Sequence, residues 1–145
     1  MIAIDTNILV YATRTEYPFH KEAHRAVTEM SASGGRWAIP WPCAHEFLSV
    51  VTNQKIHRPA TPQDLAMQFL KNCSLFPMFH FIGEGAGYLE IIDKLLASSK
   101  ASGGMIHDAK IAAICLHHGV SELWTADRDF SRFPKLKTRN PLVKK

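Results

Sequence analysis

The sequence predicts an α/β fold in which helices cover both faces of a central parallel sheet. Short apolar runs that end at polar or turn-forming residues alternate with longer segments whose apolar residues recur at helical spacing. The chain has 145 residues, of which 46% are hydrophobic and 21% are charged, as in a globular protein with one core. A single domain over residues 1–145 is therefore expected. Its apolar runs fall short of the roughly 18 residues that a membrane helix requires.

The first predicted strand is the apolar run Ile2–Ile4, which stops at Asp5-Thr6-Asn7 before the apolar run Ile8–Val10. An uninterrupted apolar run is typical of a strand that is buried on both faces. Two interpretations of Asp5 are open. It ends the strand at the edge where ligands of an α/β sheet gather, or it caps the next helix. Further strands are predicted at residues 36–41, 78–82, 122–125 and, more briefly, 136–138.

Helix start and stop signals bound the segments between the strands. Pro42 stands at a first helical position, Thr61 is predicted to cap a helix with Pro62 following it, and Gly119 closes the last helix. The predicted helices cover residues 19–32, 42–53, 61–70, 85–98 and 105–118.

The cysteines indicate a reducing environment. Cys43, Cys73 and Cys115 are odd in number, well separated and set among apolar residues, without a CxxC pair. They are expected to be buried, reduced residues of a cytoplasmic protein, and they argue against a zinc site. The chain starts at Met1 directly before a predicted strand, so no signal peptide is expected.

Positive charge concentrates at the carboxyl end of the chain. The net charge is +4, and residues 128–145 hold seven basic residues against the single acid Asp129. The rest of the chain is mildly acidic. Such an asymmetry favours a polyanion partner such as nucleic acid, and a simply solvated basic tail is the alternative.

Five acidic residues occupy unusual positions. Glu46 and Asp108 flank the apolar faces of two predicted helices, Asp5 ends a strand, and Asp127 and Asp129 follow another strand. Taken singly, each helical acid is explained by an ion pair with a nearby lysine or arginine, and the last two by a turn. If residues 2–4 and 122–125 form neighbouring strands, however, all five converge at one switch point of the sheet.

Convergence of these carboxylates would require a cation or protons. Two carboxylates ~4 Å apart repel by about 4 kcal/mol at an effective dielectric constant of 20. Oxygen ligands favour Mg²⁺ or Mn²⁺, and such an ion suits phosphodiester hydrolysis by an activated water without a serine or cysteine nucleophile. Thr125 and Asn7 are placed to orient the acids or the water. The sequence therefore predicts a metal-dependent nuclease.

With these acids in this order, the chain resembles the PIN-domain family, and specifically its VapC-type toxin ribonucleases. The resemblance spans nearly the whole chain and rests on four motifs in order: Ile4-Asp5-Thr6-Asn7, His45-Glu46-Phe47, Asp108 to Ala113, and Thr125 to Phe130. It implies a three-layer fold with a five-stranded parallel sheet. It also implies cleavage of RNA, often structured RNA such as tRNA, inhibition by a cognate VapB-type antitoxin, and a homodimer.

The same resemblance implies the site residues. Asp5, Asp108 and Asp127 would bind Mg²⁺ or Mn²⁺ directly, Glu46 would act directly or through water, and Asp129 would support them. Thr125 and Asn7 would support them. The candidates for RNA contact come from their charge alone, and for each of them ordinary solvation is the alternative: Arg14, Lys55, His57, Arg58 and the basic end from Arg128 onward.

Two other functions remain open from the sequence. In a phosphotransfer domain of the haloacid-dehalogenase type, Asp5 would be the nucleophile, but such domains carry a second aspartate where this chain has Asn7. In a non-catalytic RNA- or partner-binding module, the acids would pair with a basic partner. A cleavage assay with added metal separates the second of these from a nuclease.

Overall fold

Five short parallel strands form the centre of the molecule. The computed structural model describes residues 1–143, so Lys144 and Lys145 of the predicted basic end lie outside the described residues. The strands are ordered β3-β2-β1-β4-β5 across the sheet. Their bounds are β1 (Ile2–Ile4), β2 (Trp37–Pro40), β3 (Phe79–Ile82), β4 (Glu122–Trp124) and β5 (Thr138–Arg139). The parallel sheet flanked by helices confirms the predicted fold class.

In the described part of the chain, six α-helices cover the sheet, and a short 3-10 helix (Arg128–Arg132) follows β4. Small residues let the last α-helix approach the sheet closely, since Ala109, Ala112 and Ala113 have no exposed surface. None of the helices within residues 1–143 combines the length and apolar character needed to cross a bilayer. The α-helices are α1 (Thr6–Thr13), α2 (His20–Ala32), α3 (Trp41–Val51), α4 (Gln63–Ser74), α5 (Tyr88–Ser99) and α6 (Met105–His117).

Strand order creates a switch point at β1. This strand pairs with β2 on one side and with β4 on the other, so that Ile2 aligns with both Trp37 and Glu122. The predicted adjacency of β1 and β4 is thereby confirmed. Because both strands are parallel, the residues that follow Ile4 and Trp124 meet at the same edge of the sheet.

Helix α1 is the main element that the sequence analysis missed. The run Ile8–Val10, which resembles a continuing strand, lies in this helix. Asp5 is its N-cap, and the carboxylate accepts a hydrogen bond from the backbone N–H of Thr6 at 2.8 Å. Both interpretations of Asp5 are therefore true, because the strand ends where the helix begins.

The predicted Thr61 cap is wrong. Helix α4 begins at Gln63 with Pro62 as its N-cap, and no side chain caps it. The Thr61 hydroxyl instead accepts a hydrogen bond from Arg14 Nη1 at 2.9 Å. Helix α5 also begins later than predicted, after Gly87 at a φ of +88°, a conformation that glycine adopts without strain. The three cysteines are free and buried, as expected.

Candidate metal centre

Four of the predicted acids line one cavity of about 260 Å³ at the switch point: Asp5, Glu46, Asp108 and Asp127. They come from four separate parts of the fold. Asp5 links β1 to α1, Glu46 is on α3, Asp108 is in the first turn of α6, and Asp127 follows β4. The crossover connections of the sheet thus bring together residues that are up to 122 positions apart.

Asp5 lies at the base of this cavity and is only 6% exposed. Its Oδ1 accepts hydrogen bonds from the Thr6 N–H at 2.8 Å and the Cys43 thiol at 3.4 Å. Its Oδ2 accepts one from the Thr125 hydroxyl at 2.7 Å. Burial raises the pKa of Asp5 above its usual value, and these three donors offset part of that rise.

Thr125 organises the junction between β4 and the acids. This buried hydroxyl donates to Asp5 and accepts from the backbone N–H of Asp127 at 3.0 Å and from Asn7 Nδ2 at 3.4 Å. The Asn7 Oδ1 in turn accepts from the N–H of Ala126 at 3.2 Å. This network holds the loop after β4 against the start of α1. A supporting role of Thr125 and Asn7 in the site stays a prediction.

The tightest group of carboxylates consists of Asp108, Asp127 and Asp129. One oxygen from each lies within 4.8 Å of the others. Asp127 is the N-cap of the 3-10 helix, and its carboxylate accepts a hydrogen bond from the backbone N–H of Asp129 at 2.8 Å, which orients the Asp127 side chain. Asp129 is thus a member of this group, whereas Asp5 is not.

The environment of Asp108 resists a negative charge. Partial burial raises its pKa, and the neighbouring carboxylates of Asp127 and Asp5 raise it further, whereas His107 acts in the opposite direction. Within residues 1–143, the ion pairs join Arg14 to Glu16, His107 to Glu46 and Lys137 to Glu122. No lysine or arginine in this part of the chain therefore neutralises Asp5, Asp108 or Asp127.

Glu46 has a side-chain partner that the sequence did not reveal. Its Oε2 lies 2.9 Å from His107 Nε2 and 3.4 Å from the Thr6 hydroxyl. Both His107 and Glu46 line the cavity and are about half exposed. This contact joins α3 to α6 across 61 residues, and no local pattern in the sequence announces it.

The basic candidates for RNA contact fall into two groups. Arg14 is 10% exposed, and its guanidinium donates to Glu16, Thr61 and the Pro59 carbonyl. His57 is buried with both ring nitrogens hydrogen-bonded. The polar groups of Arg14 and His57 are therefore engaged in hydrogen bonds within the protein. The other candidates are exposed on the surface: Lys55, Arg58, Arg128, Arg132, Lys135, Lys137 and Arg139.

The PIN domain model matches residues 2–136 of this sequence. The chain belongs to the PIN domain family. Among its relatives, the VapC ribonuclease Mb2897 of Mycobacterium bovis is 30% identical over 143 residues, covering 98% of this chain and 96% of the relative. Ribonuclease VapC48 of Mycobacterium tuberculosis is 29% identical over 137 residues and 94% of each chain. These identities, over nearly full lengths, place this PIN domain with the VapC proteins.

Solved structures share the fold. The protein is similar to VapBC2 from Rickettsia felis bound to a promoter DNA fragment, with a TM-score of 0.68, 21% identity and coverage of 97% of this chain and 98% of that one. It is also similar to VapC20 of Mycobacterium tuberculosis, a toxin that cleaves the sarcin-ricin loop, with a TM-score of 0.64, 17% identity and coverage of 90% and 93%. At these identities the likeness concerns the fold alone.

The raised pKa values of the PIN domain carboxyls predict a pH-dependent stability. Asp5 and Asp108 bind protons more tightly in the folded protein than in the unfolded chain. Their contribution to stability is therefore greatest below the unfolded pKa and is lost as pH rises through the raised folded pKa. Asp127→Asn removes one negative charge beside Asp108 while retaining a good N-cap residue.

We expect metal-free Asp127→Asn to melt at a higher temperature than the wild type at pH 7, with a gain that shrinks towards pH 4. Mn²⁺ should stabilise the wild type more than this variant. Thermal unfolding in chelator between pH 4 and pH 8, repeated with Mn²⁺, measures both effects. A variant that melts lower than the wild type at pH 7 without metal would show that Asp127 contributes a structural pairing instead.

Proposed function

We propose that this chain is a divalent-metal-dependent endoribonuclease of the VapC type, acting as a toxin that a cognate antitoxin neutralises. The observation that carries this proposal is the group of carboxylates at the switch point, for which residues 1–143 supply no lysine or arginine partner. The relatives named VapC ribonucleases support the choice of RNA as the substrate class. Residues 1–145 are proposed to act as a single PIN domain.

The donor set fits Mg²⁺ or Mn²⁺. One carboxylate oxygen from each of Asp108, Asp127 and Asp129 lies within 4.8 Å of the others, and such hard oxygen donors are the ligands that these ions prefer. These three would hold the cation, with Asp5 and Glu46 acting directly or through water. A divalent cation bound there polarises a phosphoryl oxygen and lowers the pKa of a bound water.

The surrounding residues favour hydrolysis by water over a covalent intermediate. Burial raises the pKa of the Cys43 thiol well above its usual value, so this sulfur stays protonated and is a poor nucleophile. The carboxylate of Asp5 is buried and accepts three hydrogen bonds, which leaves it badly placed for the nucleophilic role of a phosphotransfer enzyme. Glu46, held by His107, is proposed to orient water or substrate at the cavity mouth.

Phosphate contacts are proposed for the exposed basic residues Lys55, Arg58 and Arg128. Because phosphate binding releases counterions, RNA affinity should then fall steeply as salt increases. Arg14 is not included, since its guanidinium is engaged within the protein. Structured RNA such as tRNA is the substrate class suggested by the family resemblance.

The proposed partners are an antitoxin and a second copy of this chain. Several similar solved structures are toxin–antitoxin complexes, including one from Klebsiella pneumoniae with a TM-score of 0.60 and 22% identity. An antitoxin arginine placed among the carboxylates would use the attraction that otherwise holds the cation. For the homodimer, the candidate surface is the apolar groove around Trp41, which is 42% exposed and stacks on Phe81 at 4.1 Å. The free cysteines support a reducing cytoplasm as the site of action.

The experiment that tests this function maps the 5′ and 3′ ends of total RNA from cells that express the wild type or Asp5→Asn. New ends at defined positions in the wild-type sample, absent from the Asp5→Asn sample, are expected. Purified protein should reproduce these cuts with Mg²⁺ or Mn²⁺ and lose them in excess chelator. Equal cleavage with and without chelator would contradict the role of the metal, and identical ends in both cell samples would contradict the nuclease.

A further inference from the structure

The cavity that holds the acids has a second wall that is apolar and aromatic. Each of three helices carries a polar residue of the cavity and, three or four positions later, an apolar one. On α1, Asn7 is followed by Val10 and Tyr11, which places them on one face of the helix. The same spacing joins Glu46 to Val50 on α3 and Asp108 to Ile111 on α6. One helical turn rises ~5.4 Å, so this wall begins about one turn from the carboxylates.

Two tyrosines form the aromatic part of this wall. The rings of Tyr11 and Tyr17 meet edge to face, with centroids 5.0 Å apart, and both line the cavity. The Tyr17 hydroxyl lies 2.7 Å from His57 Nε2, and the ring centroids of these two residues are 5.8 Å apart. The loop that carries Tyr17 is therefore anchored on the loop between α3 and α4.

The hydrogen bonds of His57 determine whether the Tyr17 hydroxyl donates or accepts. His57 Nδ1 lies 3.0 Å from the Val50 carbonyl, which can only accept, so Nδ1 donates this hydrogen bond. In that tautomer Nε2 is the acceptor, and the Tyr17 hydroxyl donates its proton to it. Any contact between this hydroxyl and a ligand must therefore use the oxygen as an acceptor.

We infer that Tyr11 and Tyr17 form a nucleobase subsite that receives the base adjoining the cleaved phosphodiester. This inference rests on the proposed ribonuclease function. A ligand in this cavity needs a phosphate for the carboxylate-bound cation and, about one helical turn away, a flat group for the aromatic wall, and a nucleotide offers both. An apolar peptide side chain would satisfy only the wall. The Tyr17 oxygen favours a base edge that presents an N–H group.

The test compares intact and abasic RNA. Once a cleavage site has been mapped, short RNAs of that sequence are made with an abasic nucleotide at either side of the cleaved bond. For one of these positions we expect the wild type to cut the intact RNA roughly 10-fold faster than the abasic RNA, the size of one stacked base. Tyr17→Leu and Tyr11→Leu should bring this ratio close to one, whereas Tyr17→Phe, which keeps the ring, should retain most of it.

The matched control is Phe19→Leu. Phe19 is 47% exposed and packs on Tyr11 at 5.5 Å, but it is not part of the cavity lining, so its variant should keep the wild-type ratio. Because each ratio compares intact with abasic RNA in the same variant, a general loss of activity does not change it. If one of the two Leu variants fails to fold, the other still tests the subsite. A wild-type ratio in Tyr17→Leu or Tyr11→Leu overturns the subsite alone. Absence of metal-dependent RNA cleavage by the wild type overturns the proposed function and the subsite together.

Discussion

Replacing Asp108 by Asn is expected to abolish metal-dependent RNA cleavage while the protein stays folded. Asp108 belongs to the group of three carboxylates with Asp127 and Asp129, and the negative charges of Asp127 and Asp5 lie close enough to raise its pKa. An amide cannot supply the negative charge that offsets the cation. Losing a partner that only orients a metal ligand typically costs 10–100-fold, so losing a direct ligand should lower kcat/KM by more than about 100-fold.

The control for this variant is Asp93→Asn, which makes the same chemical change at an exposed position of α5 outside the cavity. It should retain wild-type cleavage. Circular dichroism and thermal unfolding establish that Asp108→Asn is folded, and its metal-free melting temperature should be at or above that of the wild type because a repulsion is removed. Cleavage by Asp108→Asn at more than a tenth of the wild-type rate would remove this residue from the site.

Thr125→Val should have the opposite effect on stability. Valine has nearly the same shape as threonine but no hydroxyl, so the buried carboxylate of Asp5 loses a donor and the N–H of Asp127 loses an acceptor. Leaving a buried polar group unsatisfied costs about 1–3 kcal/mol. For a chain of this length we expect the melting temperature to fall by roughly 3–10 °C. Cleavage should fall with it, since Asp5 and the loop of Asp127 lose their common anchor.

Thr138→Val is the matched control, because Thr138 is an exposed strand threonine on β5. Its melting temperature and activity should stay close to those of the wild type. The comparison separates two kinds of support for the site. Removal of an acid relieves repulsion, whereas removal of the Thr125 hydroxyl breaks the hydrogen bonds to Asp5 and Asp127. A Thr125→Val protein as stable and active as the wild type would show that this network does not position the acids.

Much of the fold follows from the apolar pattern of the sequence. Strands β1 to β4 are short and mostly apolar, and α6 is a long, mostly apolar segment closed by Gly119, so the apolar pattern identifies them. Helix α1 could not be predicted in this way, because a short apolar run such as Ile8–Val10 fits a buried strand and a buried helix equally well. Strand β5 has only two residues, both exposed, and its place is fixed by pairing with β4 instead of by burial.

The candidate site could be predicted where acidic residues occupy unusual positions in the apolar pattern of the sequence. The placement of Asp5 after a strand and of Asp108 in an apolar stripe pointed to convergence, which parallel topology then produces. The pairing of Glu46 with His107 and the thiol contact of Cys43 could not be predicted, because side-chain contacts between distant helices leave no local spacing in the sequence. The close grouping of Asp129 depends on the 3-10 helix, which the sequence does not announce.

We propose that these carboxylates hold a divalent cation, because residues 1–143 provide no lysine or arginine that pairs with them. Equilibrium binding of Mn²⁺ to the purified protein, followed by electron paramagnetic resonance at neutral pH, tests it most directly. The account predicts saturable binding by the wild type and by Asp93→Asn, and affinity weakened by more than about 10-fold in Asp108→Asn. Wild-type protein that leaves Mn²⁺ free in solution, or Asp108→Asn that binds it equally tightly, would contradict the account.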